Sequence, residues 1–300
     1  MPPVRWASAD SGPRITVNTL LRQPTLIQER ILDILDQKFI ADQLLRGGGD
    51  APGGVVQYFE SPPLFAENDP EIVAEFGEIP VAMTDVGVPK FEPTRKRGLS
   101  VVISEEMRRR NQMDRVNKQI QLVKNTVIRA IDGTFMTAVL AGVDPSHVIP
   151  ATAAWDAPSG TKIRADIAAA KQVIVDEKRG FNPNAMAISP TLATILEGAD
   201  EVNRVFQGNI ASDRPELLGK LPRQVSGLDV YVSYSVPDAS PLILEAKTIG
   251  AIVDERPLSV SELYFWKREN EAWRSDTLRQ SAVAIDEPLA IAQITGTVTP

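Results

Sequence analysis

Cysteine is absent from this 300-residue chain, and His147 is its only histidine. Without cysteine there is no disulfide, no thiolate metal site, no iron–sulfur cluster and no cysteine nucleophile. One imidazole excludes His-rich metal centres and the Glu-x-x-His di-iron pattern, and it forces any Ser-His-Asp triad through His147. That residue lies in the turn-rich loop DPSHVIP, and no G-x-S-x-G signature accompanies it. A surface or hydrogen-bond-satisfied loop histidine is the expectation. Long apolar runs are also missing. Thr134–Val143 falls well short of the roughly 20 residues a membrane-spanning helix needs. The opening MPPVRWASADSG has no apolar signal-peptide core, so cytosolic synthesis and no membrane association are expected. Basic excess is lacking too. The formal net charge is −7, whereas tight phosphate binding needs a basic face.

The chain changes character along its length. Residues 1–23 read as an extended arm. From Pro24, Ile27, Ile31, Leu35 and Phe39 recur at helical spacing, up to a stop at GGGDAPGG (Gly47–Gly54), expected to be a flexible hinge. That glycine run follows a helix rather than a strand and lacks a following Lys-Ser/Thr, so it is not a phosphate-binding loop. Strands are expected at Val55–Phe59 and Ile79–Val86. Around them Glu60, Glu67, Asp69, Glu71, Glu75, Glu78, Asp85 and Glu92 are opposed only by Lys90. A two-stranded ribbon this polar has too little apolar surface to stand alone, and its charge asks for a basic support.

The next segment is basic. Arg95, Lys96 and Arg97 lead into a strand at Leu99–Ile103. Ser104 then caps a helix that carries Glu105 and Glu106 in its first turn. Met113, Val116, Ile120, Val123, Val127, Ile131, Phe135 and Val139 form one apolar stripe. Unbroken from Ser104 to Ala141, this helix would be on the order of 55 Å long, with Asp132-Gly133 the place for a bend. Its polar faces hold Arg108, Arg109, Arg110, Arg115, Lys118, Lys124 and Arg129. An ionic contact within or between chains is favoured over a nucleic-acid patch for Arg108–Arg110.

A second amphipathic helix is expected over Lys162–Lys178, a buried strand over Ala185–Ser189 and a helical turn over Pro190–Leu196. Val230, Val232, Tyr234 and Val236 alternate within Leu228–Val236 and should share one face. Strand-like runs follow at Leu242–Ala246, Ile249–Val253, Ser259–Trp266, Trp273–Ile285 and Ala290–Gly296. Asp254-Glu255-Arg256-Pro257 reads as a structural ion pair at a strand end, and the KRENEA tip between Trp266 and Trp273 as solvated. Helices and strands interleave without a regular βαβ rhythm, so the class is α+β. No residue pattern supports catalysis, a metal or a cofactor.

The order of these parts resembles the major capsid protein of tailed bacteriophages, most closely its actinobacterial-phage versions. NPNAMAISP (Asn182–Pro190), GLDVYVSYSVP (Gly227–Pro237) and the closing segment Gly250–Gly296 are similar to that family's stretches. The resemblance implies a fold with an N-terminal arm (1–50), an extended two-stranded loop (51–103) and a long spine helix. The helix belongs to 104–160 with the first part of a peripheral domain; an axial domain (161–255) and peripheral strands with a C-terminal return (256–300) follow. It implies a non-enzymatic subunit that self-assembles into hexamers and pentamers of an icosahedral shell enclosing double-stranded DNA, without sequence-specific binding. Location is then the virion capsid, made in the host cytoplasm, with separate scaffolding, portal and decoration proteins as further partners. The family's extended loop lies across a neighbouring subunit near its spine helix. This makes Glu67, Asp69, Glu71, Glu75 and Glu78 candidates to meet Arg95, Lys96, Arg97, Arg108, Arg109, Arg110 and Arg115 between subunits. Reversing Arg108–Arg110 to glutamate should then impair assembly and spare the fold. The alternative is an encapsulin-like nanocompartment shell; the arm and long acidic loop favour the phage protein. An acidic hydrolase has only its carboxylate count in support.

Overall fold

The computed structural model describes residues 39–60, 89–157, 160–199, 224–267 and 271–299, with Val17, Thr25, Gln28, Glu29, Ile31, Leu32, Ile72 and Glu201. The expected arm over 1–23, the strand Ile79–Val86 and the acidic residues Glu67, Asp69, Glu71, Glu75, Glu78 and Asp85 lie outside the described residues, apart from Val17. The chain divides into two compact units. The first comprises Met1–Lys38, Lys96–Ile128 and Pro257–Arg279; the second comprises Phe39–Arg95, Arg129–Arg256 and Gln280–Pro300.

In the second unit, helix α1 (Ile40–Leu44) runs into strand β1 (Arg46–Asp50). The first half of the glycine run, 47–50, is therefore strand and not hinge, and Pro52–Gly54 form the turn that follows. Strand β1 pairs in parallel with β10 (Ala251–Val260), Arg46 opposite Ala251 and Asp50 opposite Asp254. The reason is steric: a Cβ on Gly48 would lie 2.6 Å from Val253 Cγ2. Glycine lets this backbone sit against its neighbour where a larger residue would collide. Strands β2 (Val55–Tyr58) and β3 (Lys90–Pro93) then form a separate antiparallel ribbon, Val55 opposite Pro93 and Tyr58 opposite Lys90.

A six-stranded mixed sheet forms the middle of this unit, in the order β5-β13-β9-β6-β8-β7. Its strands are β5 (Val148–Pro150), β6 (Ala185–Ile188), β7 (Gln224–Val225), β8 (Leu228–Val232), β9 (Leu242–Leu244) and β13 (Ile291–Thr295). Strand β6 is buried on both faces, and the two-residue side-chain period sorts it into two cores. Ala185 and Ala187, with Leu242, Leu244 and Ile291, pack with Phe135, Met136 and Val139 and with α1. Met186 and Ile188, with Ile243, Ala292 and Ile294, pack with helix α4 (Ile163–Asp176) and helix α5 (Pro190–Gly198). Ser189 caps α5 by accepting from the Leu192 amide at 3.2 Å, with Pro190 in the first turn, where its missing N–H costs nothing. Strand β8 stops at Val232, and a turn bonds the Val236 amide to the Ser233 carbonyl. Val236 is buried but Val232 and Tyr234 are exposed, so the expected shared face ends where the turn begins.

Strand β4 (Arg95–Ser104), in the first unit from Lys96 on, joins β12 (Ala272–Ala284), in that unit as far as Arg279, and β12 also pairs antiparallel with β11 (Tyr264–Lys267). These strands belong to a five-stranded sheet of order β1-β10-β12-β11, with β4 on β12. A Cβ on Gly98 would lie 2.8 Å from the Thr277 carbonyl oxygen. The expected Ser104–Ala141 helix is two helices, α2 (Glu105–Arg109) and α3 (Met113–Gly142). Asn111 interrupts them at φ 48°, a left-handed conformation that asparagine tolerates better than most residues. Its Oδ1 accepts from the Val17 amide at 2.9 Å. Gly133 lies inside α3, which continues past it to Gly142. The stripe Val116, Ile120, Val123, Val127, Ile131, Phe135 and Val139 is buried as its spacing requires.

Candidate functional site

The ribbon exposes apolar side chains close together. Val55, Phe59 and Phe91 are 50%, 39% and 61% exposed, while Val56 packs beside Ala51, Ala251 and Val253. Lys90 forms an ion pair with Glu60. Arg95, just after the ribbon, approaches Glu92 at 3.8 Å. An apolar face on two strands has no core of its own to enter.

The basic residues fall into two groups. Arg108 and Arg109 are spent within their own helix. Glu105 is buried, and its carboxylate accepts from Arg108 Nε at 2.7 Å, from Arg108 Nη2 and from Arg109 Nε at 3.0 Å. The Arg108 hydrogen bonds, against the opposing effect of desolvation and with help from Arg109, hold the Glu105 carboxyl down to about 2. Arg108 also lies 5.7 Å from the Trp273 ring centroid. Ser104 supplies the cap, its hydroxyl accepting from the Met107 amide. Lys96, Arg97, Arg110 and Arg115 make no ion pair with a described residue; Lys96, Arg110 and Arg115 are exposed. Leu122, on the same stretch of α3, is 63% exposed. The acidic candidates are not described, so no geometry joins them to these cations.

An aromatic surface escaped the sequence reading. Tyr264, Phe265 and Trp266 on β11 are 40%, 50% and 37% exposed. Three consecutive aromatics cannot all face inward on a strand whose side chains alternate, and that was the available signal. Phe265 meets Trp273 edge-on at 5.6 Å between ring centroids. Arg274 lies 5.3 Å from the Trp266 ring centroid. Asp276 accepts from Tyr264 OH at 2.7 Å, from Ser100 and from Arg274.

The remaining polar groups are structural. His147 is fully buried, with Nδ1 donating to the Ile291 carbonyl at 2.9 Å and Nε2 3.2 Å from Glu177. Asp166, also buried, accepts from the Thr152 amide and hydroxyl and from Trp155 Nε1. Glu255 bonds to Thr94 and Gln280 in place of an ion pair with Arg256. A cavity of about 710 Å³ beside α4 presents Lys162, Arg164 and Lys171, with Glu201 accepting from the Arg164 amide. Burial lowers the Lys171 ammonium below the ordinary lysine range, and it donates to the Ser226 carbonyl. The cavity holds three cations and a single carboxylate, which is no acid–base pair. Among the described residues no cluster of His, Asp and Glu has metal-binding geometry. No helix among them is long and apolar enough to cross a membrane.

A phage capsid protein family matches residues 88–294, over two thirds of the chain. The chain belongs to that phage capsid protein family. Solved structures share its fold at low identity. A capsid chain of the cyanophage P-SCSP1u is 14% identical with a TM-score of 0.65, covering 87% of this chain and 89% of that one. A chain from Microbacterium phage Oxtober96 is 15% identical with a TM-score of 0.59, covering 87% and 94%. An encapsulin complex from Synechococcus elongatus is also similar, at 12% identity and a TM-score of 0.54, covering 97% and 92%. No curated protein matches the chain in sequence. The fold is thus the mixed α+β capsid fold.

Proposed function

We propose that the chain is the structural subunit of a tailed-phage capsid, assembling through copies of itself into hexamers and pentamers of an icosahedral shell around double-stranded DNA. The family match over residues 88–294 carries this reading. The ribbon supports it, because exposed Val55, Phe59 and Phe91 need apolar cover that two strands do not provide. In this reading residues 51–103 are the extended loop, α3 is the spine and residues 161–255 form the axial domain. The acidic loop, Glu67, Asp69, Glu71, Glu75 and Glu78, meets the basic side of a neighbouring copy. Lys96, Arg97, Arg110 and Arg115, which make no ion pair with a described residue, are the cations we assign to it. Such heterologous contacts close into rings and extend into shells. The subunit performs no chemistry. Scaffolding, portal and decoration proteins act as separate chains.

The encapsulin likeness is the observation behind a second reading, a shell that encloses a protein cargo. Electron microscopy of the purified chain, and of particles from its native source, tests both. Closed shells filled with nuclease-protected double-stranded DNA are expected. Shells packed with protein cargo favour the second reading. A small monodisperse oligomer with no shell under any assembly condition overturns both.

A further inference from the structure

The ribbon's two root residues are Gly54, just before β2, and Thr94, just after β3. The Thr94 amide donates to the Gly54 carbonyl at 2.9 Å, closing the root. Gly54 has φ 72° and Pro93 precedes Thr94, so the backbone turns sharply where the ribbon begins. One further backbone bond, from the Ala51 amide to the Asp254 carbonyl at 3.3 Å, holds the outgoing chain to β10. The returning chain enters β4, which pairs with β12, whereas β2 and β3 pair only with each other, so beyond the root no ladder fixes the ribbon's direction.

Side chains from two strands of the sheet close that freedom. The Thr94 hydroxyl bonds to Glu255 Oε2, and Gln280 Nε2 donates to the same oxygen and to Thr94 Oγ1 at 3.1 Å. The proton count fits a closed triangle. The Thr94 hydroxyl has one hydrogen for Glu255 and lone pairs for Gln280, and the Gln280 amide has two hydrogens for its two acceptors. The Gly54 carbonyl, 3.2 Å from Thr94 Oγ1, already has the Thr94 amide. Glu255 stands on β10 and Gln280 on β12, so the triangle ties the root to two different strands.

We propose that Thr94, Glu255 and Gln280 are positioning residues that lock the direction in which the ribbon leaves the second unit. Glu255 is exposed and Thr94 and Gln280 are half-buried. Hydrogen bonds this close to water add little global stability. Their effect is local: they select one ribbon direction from several that the root backbone allows. The lock belongs to the single chain. Only its consequence for assembly, a ribbon presented to its neighbour already aimed, rests on the shell reading above.

Spin labels read the direction without reference to assembly, and the chain's lack of cysteine makes labelling clean. Gln57→Cys on the ribbon and Thr191→Cys on α5 are both exposed positions of the second unit. The doubly labelled full chain, diluted into excess unlabelled chain, gives an intrachain distance distribution by pulsed electron paramagnetic resonance. A single narrow distribution is expected. Thr94→Val and Glu255→Ala should each widen it roughly twofold while leaving the thermal midpoint unchanged. Thr94→Ser, which keeps the hydroxyl, should leave it narrow. Unchanged width in Thr94→Val and Glu255→Ala overturns the lock. Equal widening in Thr94→Ser overturns it too, since the effect then does not run through the hydrogen bond. Neither result bears on whether the chain forms shells.

Discussion

Glu105 shows how one side chain can be both a helix signal and a fold contact. An acid in the first turn after Ser104 favours the helix dipole, which is as far as the residue pattern reaches. The structure adds that this carboxylate is buried under Arg108 and Arg109, and that its own amide donates to the Glu271 carbonyl at 3.0 Å. Its carboxyl is held near 2 from an ordinary 4.5, first by the Arg108 hydrogen bonds. The native state therefore binds this proton less readily than the unfolded state. The stabilisation is complete above about pH 4.5 and is lost as the pH falls through about 2. Glu105→Gln should lower the urea midpoint at neutral pH, and the gap from wild type should close as acid approaches pH 2. A gap that stays constant across that window would show that the ion pairs contribute nothing.

Elements were legible where burial is periodic and obscure where glycine decides. The α3 stripe is readable from its spacing, because core burial repeats at the period of the element, and the apolar run of β6 reads as a buried strand. The Gly47–Gly49 stretch is not readable in this way. Glycine marks a hinge, a strand in close contact or a tolerated gap, and only the neighbours tell which. A Cβ at Gly250 would fall 2.3 Å from the Ala284 carbonyl oxygen, whereas at Gly133 nothing lies within 4 Å. Two alanine substitutions should therefore move stability in opposite directions. Gly133→Ala removes backbone freedom from the unfolded chain inside a helix and should stabilise by about 1 kcal/mol. Gly250→Ala forces backbone apart and should destabilise by about 2 kcal/mol. Urea denaturation of the two variants checks both signs, and equal effects would refute the distinction. Asn111 carries the same lesson. An asparagine inside a long polar face looks like any helix residue, yet its left-handed φ ends α2 and its side chain holds Val17.

Across the whole chain, the charge distribution is where the proposed assembly can be tested. A net charge of −7 coexists with a strongly basic run from Arg95 to Arg129. Sequence alone cannot divide those cations, because a triplet such as Arg108–Arg110 looks uniform. The structure separates them: Arg108 and Arg109 are committed to Glu105, while Arg110 and Arg115 are exposed and without an ion pair among the described residues. Reversing all three arginines of the triplet would therefore damage the first unit itself, and loss of assembly would follow for the wrong reason. Arg110→Glu with Arg115→Glu is the cleaner change. Exposed cations without an ion pair contribute little to folding, so the thermal midpoint of the double variant should match wild type within about 1 °C. Contacts between complementary charges set partner choice and register and weaken as salt screens them over a Debye length of about 8 Å. Wild-type assembly, followed by light scattering, should fall as salt rises. The double variant should assemble poorly at low salt and respond little to further addition. If Arg108→Glu alone lowers the thermal midpoint while the double variant assembles as wild type does, these cations serve the fold and not the neighbour.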